Sequence, residues 1–265
     1  MINYPLKMIP VFKDYIWGGT KLKESYNKKS DMPVIAESWE VSTHPDGLSR
    51  IANGEFAGKT LKEVLGFDLP ILIKFIDATD NLSLQVHPDD DYARAKEGDR
   101  GKNEMWYIAE AEPGAELILG FKEKLSEDEL RELINSGNIL SKVSHIPVKA
   151  GDCYCIPAGM IHAIGKGIVI VEVQQSSNVT YRVYDYDRRD DDGNPRQLHI
   201  DKAIDVLDTN LKAIKADSHI LADWEYFHCE LLTSQDGKTK QISTKIDSFE
   251  CLTNLETGET SFFTI

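Results

Sequence analysis

The stretch that decides the fold is Gly151-Asp152-Cys153-Tyr154-Cys155-Ile156-Pro157-Ala158-Gly159-Met160-Ile161-His162. Gly151 allows the sharp turn that starts a strand. The run from Cys153 to Ile156 is the strand itself. Pro157 and Gly159 form a tight corner. Past that corner His162 resumes in strand-like residues and faces inward. Cys153 and Cys155 are two apart and share one face of their strand. They are read as reduced thiols packed in a sheet wall rather than as metal ligands.

Two other stretches carry the partners that His162 needs. Leu84-Gln85-Val86-His87-Pro88 places Gln85 and His87 on one strand face, because side chains alternate with period two. Gly101-Lys102-Asn103-Glu104-Met105-Trp106 places Glu104 at the head of another apolar strand. Gln85, His87, Glu104 and His162 together offer an amide oxygen, two imidazoles and a carboxylate. That set suits one divalent metal ion, with zinc the first choice.

The pattern G-x5-P-x-G-x2-H resembles the second sequence motif of the cupin barrels. The first cupin motif ordinarily supplies H-x-H and then Glu. Here Gln85 stands for the first histidine, and Glu104 follows His87 by 17 residues. That departure resembles the type I mannose-6-phosphate isomerases, or phosphomannose isomerases. Further similarity lies in Tyr15-Ile16-Trp17-Gly18-Gly19, in Ala36-Glu37-Ser38-Trp39-Glu40-Val41-Ser42, in Leu82 to Asp89, in Gly101 to Tyr107, and in Gln174 to Arg182. It spans most of residues 10 to 200.

The expected fold is mainly β: a cupin barrel of jelly-roll type with a helical insertion, and a second, shortened cupin-like C-terminal module. Residues 1–215 are expected to form the metal-binding unit, with the insertion near 121–142, and residues 216–265 the partial module. Short apolar runs such as Ile71 to Ile76 and Ile168 to Val173, punctuated by turns such as Glu112-Pro113-Gly114, support the β class. The insertion is signalled by Ser126 and Glu129, a capping box. Leu130, Leu133 and Ile134 supply its apolar face, and Gly137 its stop. A second helix is expected from Ile200 to Leu207. Asp89-Asp90-Asp91 is read as a helix N-terminus rather than a calcium site. Tyr226 to Leu232 and Ser248 to Leu252 are expected strands, packed on the first barrel, with self-association as the alternative.

Composition limits the partners. The chain has 265 residues, 41% hydrophobic and 28% charged, with a net charge of −14. That acidity argues against nucleic acid or an anionic membrane surface. No apolar run reaches the length of a membrane span, and the N-terminus lacks a signal peptide's apolar core. The expected location is cytoplasmic. An acidic chain that binds a sugar phosphate must gather its cations at one site.

Two charges stand out within apolar strands. Lys74 interrupts Leu69 to Ile76, and Glu172 interrupts Ile168 to Val173. Each either points outward or lies buried with a partner. A desolvated Glu172 would have the raised pKa that a proton-transfer group needs. The resemblance implies that Lys74, Ser83 and Lys102 face the substrate. It implies that Arg182 is catalytic, that Arg188 reaches the phosphate, and that Glu172 transfers a proton; Lys102 and Arg188 together are expected to hold the phosphate dianion. The implied reaction is the interconversion of mannose 6-phosphate and fructose 6-phosphate through an enediol. Two alternatives are an iron-dependent cupin oxygenase, disfavoured by Gln85, and a non-catalytic cupin that binds or senses a sugar phosphate.

Overall fold

In the computed structural model, residues 2–189, 193–233 and 249–264 are described. Asp190 to Asp192 of the charged loop, and Ser248 at the head of an expected strand, lie outside them. The chain builds two main sheets. The larger has seven strands, in the spatial order Ile214–Lys215, Cys153–Ile156, Glu104–Ala111, Ile168–Gln175, Ile71–Ala78, Glu37–Val41 and Val11–Lys13. The smaller has five, in the order Tyr181–Tyr184, Leu84–Val86, His162–Ile164, Glu116–Phe121 and Val143–Pro147. Every pairing in both is antiparallel. The jelly-roll architecture is thus two facing ladders rather than one closed ring.

Alternation along the strands sorts the core into layers. Trp106, Ile108, Tyr154, Ile156, Ile168 and Ile170 of the large sheet pack with Leu117, Leu119 and Ile164 of the small one. The intervening residues Met105, Cys153, Cys155, Val169, Val171 and Val173 face the other way, into a second cluster. The strands therefore read as continuously buried, because both faces of the large sheet are covered. The outer face of the small sheet carries the helices Glu127–Asn135 and Ile200–Val206, through Leu130, Ile134, Ala203 and Ile204. The first of these has the expected Ser126–Glu129 capping box. It lies between the neighbouring strands Glu116–Phe121 and Val143–Pro147.

The C-terminal residues cover the large sheet. The hairpin Phe249–Thr253 and Thr260–Thr264 adds to the strand Leu6–Ile9, with Leu6 opposite Phe262. Phe262 is fully buried and stacks on Phe249. A buried ion pair fastens the turn of this hairpin. Lys28 Nζ is 2.6 Å from Glu40 Oε1 and donates to the Gly258 carbonyl at 2.6 Å. The short pair Ile220–Asp223 and His228–Glu230 sits beside Cys153 and Cys155, whose thiols approach the Leu221 carbonyl. These cysteines are packed in the wall and away from the candidate ligands.

Candidate functional site

The site forms where two rows of register partners face each other. Across the large sheet the row is Trp39, Lys74, Glu172, Trp106 and Tyr154. Across the small sheet it is Arg182, Gln85, His162 and Leu119. Glu104 pairs with Gln174 two residues along from the first row, and so on the same face. His87 follows the end of the strand Leu84–Val86.

These rows bring the four expected ligands together. The ligand atoms of His87, Glu104 and His162 all lie within 4.8 Å of one another. The Gln85 amide nitrogen is 3.3 Å from His162 Nε2, and a half-turn of the amide exchanges its nitrogen and oxygen. Both imidazoles point Nε2 inward, 3.1 Å apart. Their Nδ1 atoms face backbone carbonyls, His87 on Val179 at 2.8 Å and His162 on Met160 at 2.9 Å. Such outer bonds fix the tautomer that leaves Nε2 free to bind a metal. Burial, aided by Lys102, pulls the His87 pKa down to about 3, and burial also lowers that of His162. Both rings are therefore neutral, as ligands must be. Burial alone would raise the Glu104 pKa, but Lys102 and the two histidines hold it well below the carboxylate range. Neither Glu104 oxygen has a well-directed hydrogen bond among the described residues. Lys102 Nζ does lie 2.6 Å from Oε1, and 3.1 Å from His87 Nε2. A buried carboxylate left in this state, with two neutral imidazoles beside it, fits a divalent cation.

Local sequence explains the placement. Gly101 lets the chain pass close to the helix Asp90–Lys96, since a Cβ there would lie 2.4 Å from the Asp90 nitrogen. That passage brings Lys102 under Pro88, whose carbonyl accepts its N–H at 3.0 Å. Asp89 caps the same helix, as its sequence indicates. Gly159 adopts φ +86°, and its N–H donates to the His87 carbonyl at 2.9 Å, which ties the corner to the ligand strand.

A cavity of about 280 Å³ opens beside the four ligands. Its lining includes Lys74, Ser83, Gln85, Lys102, Glu172 and Arg182. Lys74 and Glu172 therefore face inward. Lys74 Nζ lies 3.4 Å from Glu172 and 3.6 Å from Glu37, above the Trp39 ring. Glu172 Oε2 accepts the Trp106 indole N–H at 2.8 Å, while Oε1 has no hydrogen bond among the described residues. Burial, and then the Glu104 charge, raise the Glu172 pKa; Lys74 and Lys102 oppose them. Arg182 donates to the Gln197 carbonyl at 2.8 Å, and its buried Nε has no hydrogen-bond partner among the described residues.

Arg188 is placed differently from the sequence expectation. It is not among the lining residues. Its guanidinium pairs with Asp185 at 2.6 Å, bonds the Asn81 carbonyl and lies against Tyr186. Arg196, which the sequence did not single out, lines the cavity instead, together with Glu37, Tyr15 and Trp17. Period-two alternation in Ala36 to Ser42 was the available signal for Glu37. Nothing local signals Arg196, because a loop conformation decides where it points.

Comparison with known proteins agrees with this geometry. The family model of the phosphomannose isomerase type I catalytic domain matches residues 6–123. A probable mannose-6-phosphate isomerase of Bacillus subtilis is 44% identical over 218 residues, 78% of this chain and 69% of that protein. The chain belongs to the mannose-6-phosphate isomerase family. A mannose-6-phosphate isomerase of Streptococcus mutans is 46% identical over 203 residues, 72% of this chain and 64% of its own. Among solved structures of the family, the Bacillus subtilis isomerase superposes with a TM-score of 0.78 at 38% identity, covering 84% of this chain and 78% of that one. A Salmonella typhimurium phosphomannose isomerase shares the fold at 16% identity, with a TM-score of 0.72 over 98% of this chain and 94% of that one.

Proposed function

We propose that this chain is a metal-dependent aldose–ketose isomerase that interconverts mannose 6-phosphate and fructose 6-phosphate. The observation that carries the proposal is the adjacency, in one cavity, of the Gln85, His87, Glu104 and His162 cluster, the desolvated Glu172 and Arg182. Zinc is the proposed ion, on the strength of two neutral imidazoles and one carboxylate. When bound, it supplies Lewis-acid polarisation of the sugar oxygens.

The protein's own groups supply the rest. Glu172 Oε1, the oxygen with no hydrogen bond, is the candidate that takes the proton from C2 and returns it to C1 through the enediol. Burial raises its pKa, the direction that a proton-transfer group needs. Trp106 holds the other oxygen, Oε2, and Lys74 stands 3.4 Å from Oε1 itself. Arg182 stabilises the negative charge that develops on the enediolate oxygens, since it does not readily give up its proton. Ser83 and Lys102 are the proposed contacts to the sugar at the ligand end, and Lys74 binds the substrate from the large sheet.

We further divide the chain into a metal-binding unit, residues 1–215, and a partial cupin-like C-terminal module, residues 216–265, whose described strands pack on it. A cytoplasmic location is consistent with the four free cysteines. No described helix is long and apolar enough to cross a membrane. A coupled assay for fructose 6-phosphate formation from mannose 6-phosphate tests the function. Metal-loaded protein that binds the sugar phosphate without converting it would instead make this a non-catalytic sensor.

A further inference from the structure

The four cysteines of the chain are free thiols, and all of them belong to one core layer, on the face of the large sheet turned away from the ligand cavity. Cys153 and Cys155 project from that sheet. Both thiols approach the Leu221 carbonyl, at 3.9 and 3.6 Å. Leu221 belongs to the C-terminal strand Ile220–Asp223, so that strand lies across the two thiols. Its neighbour Ala222 is buried in the same layer and is the register partner of Cys229. Register partners of an antiparallel pair point to one face. Cys229 therefore turns its side chain towards Cys153 and Cys155. The same argument places Cys251, which stands opposite the fully buried Phe262. Two thiols thus come from the metal-binding unit and two from the C-terminal module, and the layer they share is the seam between them.

These thiols are near enough to sense one another. Burial raises the pKa values of Cys153 and Cys229 to about 12, and the charge of Cys155 adds to both. Cys229 in turn acts on Cys251. Among the described residues, the only set of three or more metal-ligating atoms within 4.8 Å of one another is that of His87, Glu104 and His162. The sulfurs therefore do not converge on one ion, whereas a bond between two of them needs only one pair. Cys229 is partly buried and Cys155 is buried behind it. An oxidant reaches Cys229 first, with Cys155 placed to resolve the product.

We propose that Cys229 and Cys155 form an oxidant-responsive disulfide that staples the C-terminal module to the metal-binding unit. The oxidant is hydrogen peroxide. The Cys229 thiolate attacks one peroxide oxygen; an S–O bond forms, the O–O bond breaks and hydroxide leaves. The Cys155 thiolate then attacks the Cys229 sulfur. The S–S bond forms, the S–O bond breaks and a second hydroxide leaves. The two thiol protons convert both hydroxides to water, and two electrons pass from sulfur to the peroxide. In a reducing compartment the bond is open at rest. Scarce thiolate makes its closure slow, so the staple answers sustained exposure. This inference does not depend on the sugar-phosphate reading.

The test exposes reduced wild type and the variants Cys229→Ser, Cys155→Ser, Cys153→Ser and Cys251→Ser to hydrogen peroxide. Free thiols are counted in denaturant, and disulfide-linked peptides are mapped by mass spectrometry. Wild type should lose two of its four thiols, become lighter by about two mass units, and yield a peptide pair joining Cys155 to Cys229. Its Tm should rise by about 5–10 °C and return to the reduced value with dithiothreitol. Cys153→Ser and Cys251→Ser should keep the bond and the shift, and Cys229→Ser should lose both. If Cys155→Ser does not fold, the peptide map of wild type decides the partner. Retention of all four thiols, addition of oxygen without an S–S bond, or a map that joins any other pair would overturn the assignment.

Discussion

Glu172 and Lys74 are register partners on adjacent antiparallel strands, and their charged ends meet 3.4 Å apart in the space between the sheets. Both lie where alternation would otherwise place core residues. Burial works against the Lys74 charge, but Glu37 and Glu172 outweigh it and raise the lysine's pKa. One buried cation therefore serves two buried carboxylates.

Lys74→Met should expose the cost of that arrangement. It leaves Glu37 and Glu172 buried without their shared cation. Breaking a buried pair from one side costs about 3–5 kcal/mol. Urea unfolding at neutral pH would measure it. A loss below about 1 kcal/mol would mean that the carboxylates find water or protons instead.

Glu172→Gln keeps an oxygen that can accept from Trp106 and removes the basic oxygen. It should lower kcat by about 10²- to 10⁴-fold. The pH dependence follows from the direction of the shift. A raised pKa keeps Glu172 protonated, and so inactive as a base, up to a higher pH than an ordinary glutamate. Wild-type kcat should therefore fall as pH falls through that raised value. The Glu172→Gln variant should lose this acid limb. A variant that keeps both turnover and limb would move the base elsewhere.

His162→Ala removes one of two neutral imidazoles from the ligand set. Metal content, read by elemental analysis, should fall well below that of wild type, and isomerase activity should fall with it. The loss should exceed the roughly 10- to 100-fold typical of removing a supporting hydrogen bond. Chelation of wild type should abolish activity, and zinc should restore it. Full metal content in His162→Ala would remove the histidine from the set.

Phe262→Ala addresses the C-terminal hairpin. Phe262 is fully buried against Phe249 and opposite Leu6. Truncation to alanine should cost about 3–5 kcal/mol. Because its strand pairs with Leu6–Ile9, hydrogen exchange should accelerate in both strands together. Exchange limited to residues 249–264 would show that the hairpin opens alone.

Much of this site was legible in the chain. The period of two in Leu84 to His87, the corner Pro157-Ala158-Gly159 before His162, and Glu104 at the head of an apolar strand are local patterns. Local patterns fix which face a side chain takes, so the four candidate ligands, the β class, the capped insertion and the packed cysteines were within reach. The sequence left open whether Lys74 and Glu172 turn inward. That depends on both faces of the large sheet being covered, and the cover on the second face comes largely from residues distant in sequence.

Tertiary structure alone decided the rest. Register made Lys74 the neighbour of Glu172 and Arg182 the neighbour of Gln85, and register is a property of pairs of strands rather than of one. Loop conformation turned Arg196 into the cavity and Arg188 onto Asp185, although the two arginines are only eight positions apart. Sequence supplies the charges; the carboxylate that captures each one is set by chain segments brought together only on folding.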